Sequence, residues 1–145
     1  MRVAAYQQVS MRDMEQTSSL ELLKQSCEER INRCRRYKCV GCYFDEMGGR
    51  KAFARLMEAA ENGEIDRIVT KSAFDFIGSI DELVSTASRL NSLDNPVRVH
   101  FDVEGVTTGT AEWERCVGFL MSFLHSEKRR DATEADGRER VMCGT

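Results

Sequence analysis

Two periodicities alternate along this chain, and that alternation most narrows what it can fold into. Short runs of β-branched or small residues are separated by stretches in which apolar residues recur every three or four positions. Arg2-Val3-Ala4-Ala5-Tyr6 reads as a first strand, and a helix follows from about Gln16 to Arg33 with Leu20, Leu23, Cys27 and Ile31 on one side. Tyr37–Phe44 reads as strand two. Lys51–Glu61 reads as a helix turning Phe53, Leu56, Met57 and Ala60 inward and stopped by Asn62-Gly63. Ile65–Thr70 is strand three, Ser79 to Asp81 caps a helix reaching about Leu90, and the sole proline, Pro96, stands just ahead of strand four, Val97–Phe101. Strands separated by helices of this length need right-handed crossovers. The expected fold is therefore a three-layer α/β domain, a mostly parallel sheet of four to five strands flanked by helices.

Functional groups of such a sheet gather at the carboxyl ends of its strands. Those ends carry Gln7, Gln8 and Ser10, then Asp45 to Arg50, then Thr70 to Gly78, then Asp102 to Thr110. The last helix, Ala111 to Lys128, differs from the others. Trp113, Val117, Leu120 and Leu124 form one apolar stripe, and Cys116, Phe119 and Phe123 form a second. Apolar character so far round a helix implies burial on two sides, within the domain or against another subunit. Residues 131–145 form a polar tail, expected to be loose.

The 145 residues suit one domain, residues 1–130, and 41% apolar with 31% charged residues are ordinary globular values. No apolar run approaches a membrane span, and no cationic-then-apolar leader is visible. The expectation is a soluble cytoplasmic protein without membrane contact. A formal charge of −3 counts against a stand-alone nucleic-acid binder. The basic stretches at residues 30–38 and 128–130 sit near helix ends, where the helix dipole favours cations.

Six cysteines raise the question of a metal. Cys39 and Cys42 have knuckle-like spacing, but they fall on a strand, where residues three apart should face opposite ways. No second pair follows, and Cys116 and Cys143 are isolated. Reduced structural thiols, with no metal and no cofactor, are expected. His100 and His125 are assigned packing or surface roles.

Several blocks together carry a family resemblance. "MRVAAYQQVS", "EQTSSLE", "GCYFDE" and "RKAFARLMEAAENGEIDRIVTKS" resemble, in order and spacing over residues 1 to about 130, the catalytic domain of serine site-specific recombinases, the resolvase/invertase group. That resemblance implies a nucleophilic serine that attacks a DNA phosphodiester and is joined to the cut strand as a phosphoserine. It also implies strand exchange within a tetramer and dimers formed through the long last helix. Matched by position, Ser10 takes the place of the nucleophile, Asp45 that of an acidic residue after strand two, and Arg50 that of an active-site arginine. Gln16, Ser18, Ser19 and Lys71 also fit the pattern.

Other positions depart from it. The first motif of the family reads Tyr-x-Arg-Val-Ser, and here the arginine is Gln8. Two arginines expected after strand three are Asp75 and Gly78, the acidic or serine residue before the first of them is Phe74, and a glutamine of the first helix is Leu23. Arginine forks matched to phosphate do most of the stabilising in phosphoryl chemistry, and removing one preorganised donor costs about 10²–10³ in rate. Asp75 adds a carboxylate where a phosphate would sit.

The resemblance thus implies a degenerate recombinase domain with Ser10 as a vestige, held in a homodimer or a heteromer with a related recombinase through Trp113, Phe119, Leu120 and Phe123. Such a protein could be a modulator of an active recombinase or a relic of a mobile element. The alternative is an active recombinase cleaving and rejoining DNA through Ser10. No helix-turn-helix or zinc-ribbon region follows the last helix in this sequence, so DNA binding by the chain alone is expected to be weak. A receiver-like module is a third reading, and it lacks the acidic cluster that receivers hold at the end of strand one.

Overall fold

The computed structural model describes residues 1–10, 20–119 and 122, apart from the side chains at 74 and 75. Strand β1 (Arg2–Val9) is an inner strand, second from one edge of a five-stranded sheet. It leads to helix α1 (Leu20–Asn32), edge strand β2 (Lys38–Glu46) and helix α2 (Lys51–Glu61). Strand β3 (Arg67–Thr70), a one-turn helix α3 (Ala73–Phe76), helix α4 (Ile80–Asn91) and strand β4 (Arg98–Phe101) follow. A two-residue strand, β5 (Val106–Thr107), precedes a final helix, α5, over residues 111–119. The spatial order is β2-β1-β3-β4-β5, with the first four strands parallel and β5 antiparallel to β4. This is the three-layer, mostly parallel α/β architecture that the alternation implies.

The period of two along β1 divides the molecule. Ala4 and Tyr6 face the larger core, where Leu56, Ile68, Phe76, Leu90, Val97, Val99 and Phe101 are fully buried. Burying side chains of this size stabilises by roughly 1.5–3 kcal/mol each, so this face dominates the folding energy. Val3 and Ala5 face the other way, onto a small cluster with Cys27 and Ile31, the only buried residues of α1. One helix therefore covers the second face.

Several boundaries differ from the sequence reading. β1 continues past Tyr6 to Val9 because β2 stays in register with it through Val9↔Glu46. β5 is invisible to a propensity reading. It forms because Gly105, at φ 66°, lets the chain fold back on β4, with the Gly105 amide donating to Phe101 O at 2.8 Å. The segment after β3 forms α3 rather than a plain loop, and Glu104 Oε1 accepts from the Ala73 amide at 2.8 Å at its start. At the opposite end of the sheet Asp66 clamps β1. It takes the Arg2 amide at 2.7 Å and both arms of the Arg2 guanidinium at 3.0 and 3.1 Å.

Thr110 caps α5, accepting from the Trp113 amide at 3.2 Å. Trp113 is buried and stacks on Phe101, with centroids 5.9 Å apart and planes 26° from parallel. Cys116 and Val117 pack beside it, so Cys116 belongs with the core-facing residues and not with Phe119, which is 72% exposed. Leu120, Phe123, Leu124, His125 and the polar tail lie outside the described residues. Trp113→Ala should lower stability by about 3–5 kcal/mol in urea unfolding. Val103→Ala, at an exposed loop position, should stay within about 0.5 kcal/mol of the parent. Equal effects of the two would mean that α5 is not docked on the core.

Candidate active site at the carboxyl end of the sheet

The carboxyl ends of β1 and β2 lie side by side because Gln8 pairs with Asp45. Asp45 is buried, 6% exposed, and its oxygens have three donors. Tyr6 Oη donates at 2.8 Å, the Ala52 amide at 2.8 Å and the Phe53 amide at 3.0 Å. The last two belong to the first turn of α2, whose N-cap residue Arg50 supplies no capping side chain of its own. Asp45 thus caps α2 from the neighbouring strand, at the end of the helix where the dipole favours an anion.

Burying a lone carboxylate costs several kcal/mol, whereas each hydrogen bond to a charged group returns about 1.5–3 kcal/mol. Here the bonds win. Burial pushes the Asp45 carboxyl up, but the amides of Ala52 and Phe53, the Tyr6 hydroxyl and the Arg50 charge together hold it below the usual carboxylate range. Tyr6 moves oppositely: burial, then its bond to Asp45, pushes the phenol up to about 12, so it stays a neutral donor.

Arg50 joins the same cluster. Its Nη1 donates to Phe76 O at 2.9 Å and to Tyr6 Oη at 3.3 Å, and its guanidinium carbon lies 3.9 Å from the centroid of Phe53. A cation over an aromatic face gains roughly 0.5–2 kcal/mol, so the ring contact helps fix the side chain. Tyr6, Phe53 and Phe76 meet edge to face around it, at centroid distances of 5.3–6.1 Å. The sequence reading names none of these three aromatics as site residues. Tyr6 could have been found as the tyrosine of "YQQVS", whereas Phe53 and Phe76 carry no local signal.

The structure therefore brings Gln8, Asp45 and Arg50 to the same end of the sheet, Gln8 opposite Asp45 and Arg50 bonded to the Tyr6 hydroxyl. Ser10 is half-buried, one residue beyond the end of β1 and at the same end of the sheet. α3 contributes the backbone of positions 74 and 75 and reaches Arg50 through Phe76 O. Gly78 is exposed, and a Cβ added there would meet nothing within 4 Å. Leu23 is half-buried in the first turns of α1, on the opposite face of the sheet from Asp45. His100 bonds Thr107 Oγ1 through Nδ1 at 2.8 Å, and its Nε2 lies 3.5 Å from Asp102.

Strand alternation fails at the cysteines. β2 carries a bulge: Val3 pairs with Cys39 and Ala4 with Gly41, leaving Val40 without an opposite residue. The extra residue returns Cys39 and Cys42 to one face, Sγ to Sγ 3.7 Å, where both pack toward α1. The expectation of opposite faces is corrected by that bulge. Among the described residues no group of three or more His, Cys, Asp or Glu side chains is arranged to hold a metal ion.

No protein-family model matches the chain, and no curated protein sequence does. Solved structures do. A resolvase family site-specific recombinase from Streptococcus pneumoniae superposes with a TM-score of 0.72 at 19% identity, over 97% of this chain and 99% of that one. The N-terminal catalytic domain of TP901-1 integrase superposes with a TM-score of 0.66 at 16% identity, over 89% of this chain and 98% of that one. The chain has the fold of these recombinase catalytic domains.

Because Tyr6 donates to a buried charge, Tyr6→Phe should cost about 1.5–3 kcal/mol at neutral pH. A carboxyl held low in the folded state contributes stability above its unfolded pKa, near 4, and that contribution is lost as pH falls through the folded value. The Tyr6→Phe penalty should therefore shrink in unfolding experiments at progressively lower pH. A penalty independent of pH would show that the lost hydroxyl does not act through Asp45.

Proposed function

We propose that this chain is a serine-recombinase-type catalytic domain, linked to site-specific DNA recombination, whose own strand cleavage is impaired and which works through contacts with other proteins. The state of Arg50 carries the reading. It is the one arginine left at the four positions matched to the family, and its guanidinium is held by the Phe76 carbonyl, the Tyr6 hydroxyl and the Phe53 ring. Gln8, Asp75 and Gly78 stand at the other three.

Cleavage by Ser10 would require its hydroxyl to lose a proton while the oxygen attacks phosphorus and a sugar oxygen leaves. A serine at its free pKa is a weak nucleophile. The charge growing on the phosphoryl oxygens needs fixed donors, and a glutamine, a carboxylate and a glycine supply no cation. Asp45, already carrying three donors and capping α2, serves this scaffold as a positioning residue.

The fold shared with the resolvase-family and integrase structures supports the assignment to recombination. The partner surface is the outer side of α5, where Phe119 is 72% exposed on a helix whose other side already carries Trp113. A second copy or a related recombinase would cover it. A net charge of −3 fits weak binding to DNA by the chain alone.

The active alternative is tested by incubating the chain with a pool of nicked duplexes and looking for a detergent-stable protein–DNA adduct. None is expected from the wild type. Gln8→Arg, Asp75→Arg and Gly78→Arg combined should raise adduct formation by orders of magnitude, since each donor is worth about 10²–10³ without strict multiplication. A Cβ at Gly78 would meet nothing within 4 Å, so the substitution starts without a clash there. A wild-type adduct comparable to that of an active recombinase, and abolished by Ser10→Ala, would overturn the impaired reading. Separately, Phe119→Asp should lower the mass seen by light scattering at high protein concentration. A wild type that is strictly monomeric would sink self-association through α5.

A further inference from the structure

The second face of the sheet holds two thiols in contact that the site above does not use. Cys39 Sγ and Cys42 Sγ lie 3.7 Å apart on edge strand β2. Both side chains are only half-buried, so a small oxidant reaches them from solvent. Each sulfur also faces a backbone carbonyl at 3.8 Å, Cys39 that of Gly41 and Cys42 that of Lys24.

The bulge sets that contact. On a regular strand, residues three apart are separated by about 10 Å at 3.3 Å per residue and point to opposite faces. Here Cys39 stands opposite Val3 and Cys42 opposite Ala5, which are two residues apart on the unbulged partner strand. Two residues span about 6.6 Å, inside the Cα separation of roughly 7 Å that a disulfide tolerates. One extra residue thus turns a spacing that cannot be bridged into one that can.

We propose that Cys39 and Cys42 are a modification site for peroxide, which closes them to a reversible disulfide within β2. The thiolate of one attacks a peroxide oxygen. The O–O bond breaks, the departing oxygen takes up a proton and leaves as water, and the attacking sulfur becomes a sulfenic acid. The other thiol gives up its proton and attacks that sulfur, the S–O bond breaks, and a second water leaves. Two thiols and one peroxide become one disulfide and two waters. Because the sulfurs already touch, the second step is intramolecular and outpaces capture by a thiol from solution. The closed ring spans Val40 and holds the bulge in place at the edge of the sheet.

The test treats the full chain with hydrogen peroxide, alkylates the remaining thiols under denaturing conditions and maps tryptic peptides by mass spectrometry. Cleavage after Lys38 and Arg50 releases both thiols on one peptide, apart from Cys27 and Cys34. That peptide should come through without alkyl label, and dithiothreitol before alkylation should restore label at both sulfurs. In Cys42→Ser the bond cannot form, and dimedone should trap a sulfenic acid at Cys39. Cys39 and Cys42 both alkylated at a peroxide dose that oxidises the exposed Cys34 overturns the proposal. So does a bond from either of them to Cys27 or to a second copy of the chain. The wild-type map decides the linkage even if the variant folds poorly, and its outcome is independent of any chemistry at Ser10.

Discussion

Asp45 is the point through which four parts of this molecule are tied. Its carboxylate takes a phenol from β1 and two amides from α2 while its own backbone belongs to β2. Through Tyr6 it also meets Arg50, which in turn holds the carbonyl of Phe76 at the end of α3. An ion this deeply buried is tolerated only while every donor stays in place, so the strand end, the helix start and the turn after β3 are fixed together. The geometry around Ser10 follows from that fixed frame.

The same frame explains why a chain without the expected arginines keeps the recombinase fold. Gln8 and Gly78 are not core residues, and no buried contact of the larger core depends on them. Arg50 and Asp45, by contrast, have packing duties that any loss of chemistry would leave untouched.

How much of this was legible in the sequence depends on how local the cause is. The alternation of periods gave the parallel sheet and the helices because backbone geometry imposes those periods residue by residue. The positions of Ser10, Asp45 and Arg50 at strand ends followed from the same reading. The aromatic cage of Phe53 and Phe76 did not, because it joins residues far apart in sequence that only the fold brings together. β5 escaped because two residues carry no periodicity, and its cause is a glycine turn with a positive φ. The cysteines were misplaced for a different reason. A single unpaired residue, Val40, inverts the facing of everything before it on the strand, and no propensity scale registers a bulge.

That bulge has a consequence at the margin of the sheet. Among the described residues β2 is an outer strand of nine residues, long enough to offer its outward hydrogen-bonding side to a strand from another molecule. Val40 breaks the regular spacing of that side near its start, and an incoming strand cannot match both halves at once. The other margin, β5, is only two residues long. One border is kinked and the other is too short to template a new strand, so the sheet resists growing by accretion and aggregating edge to edge.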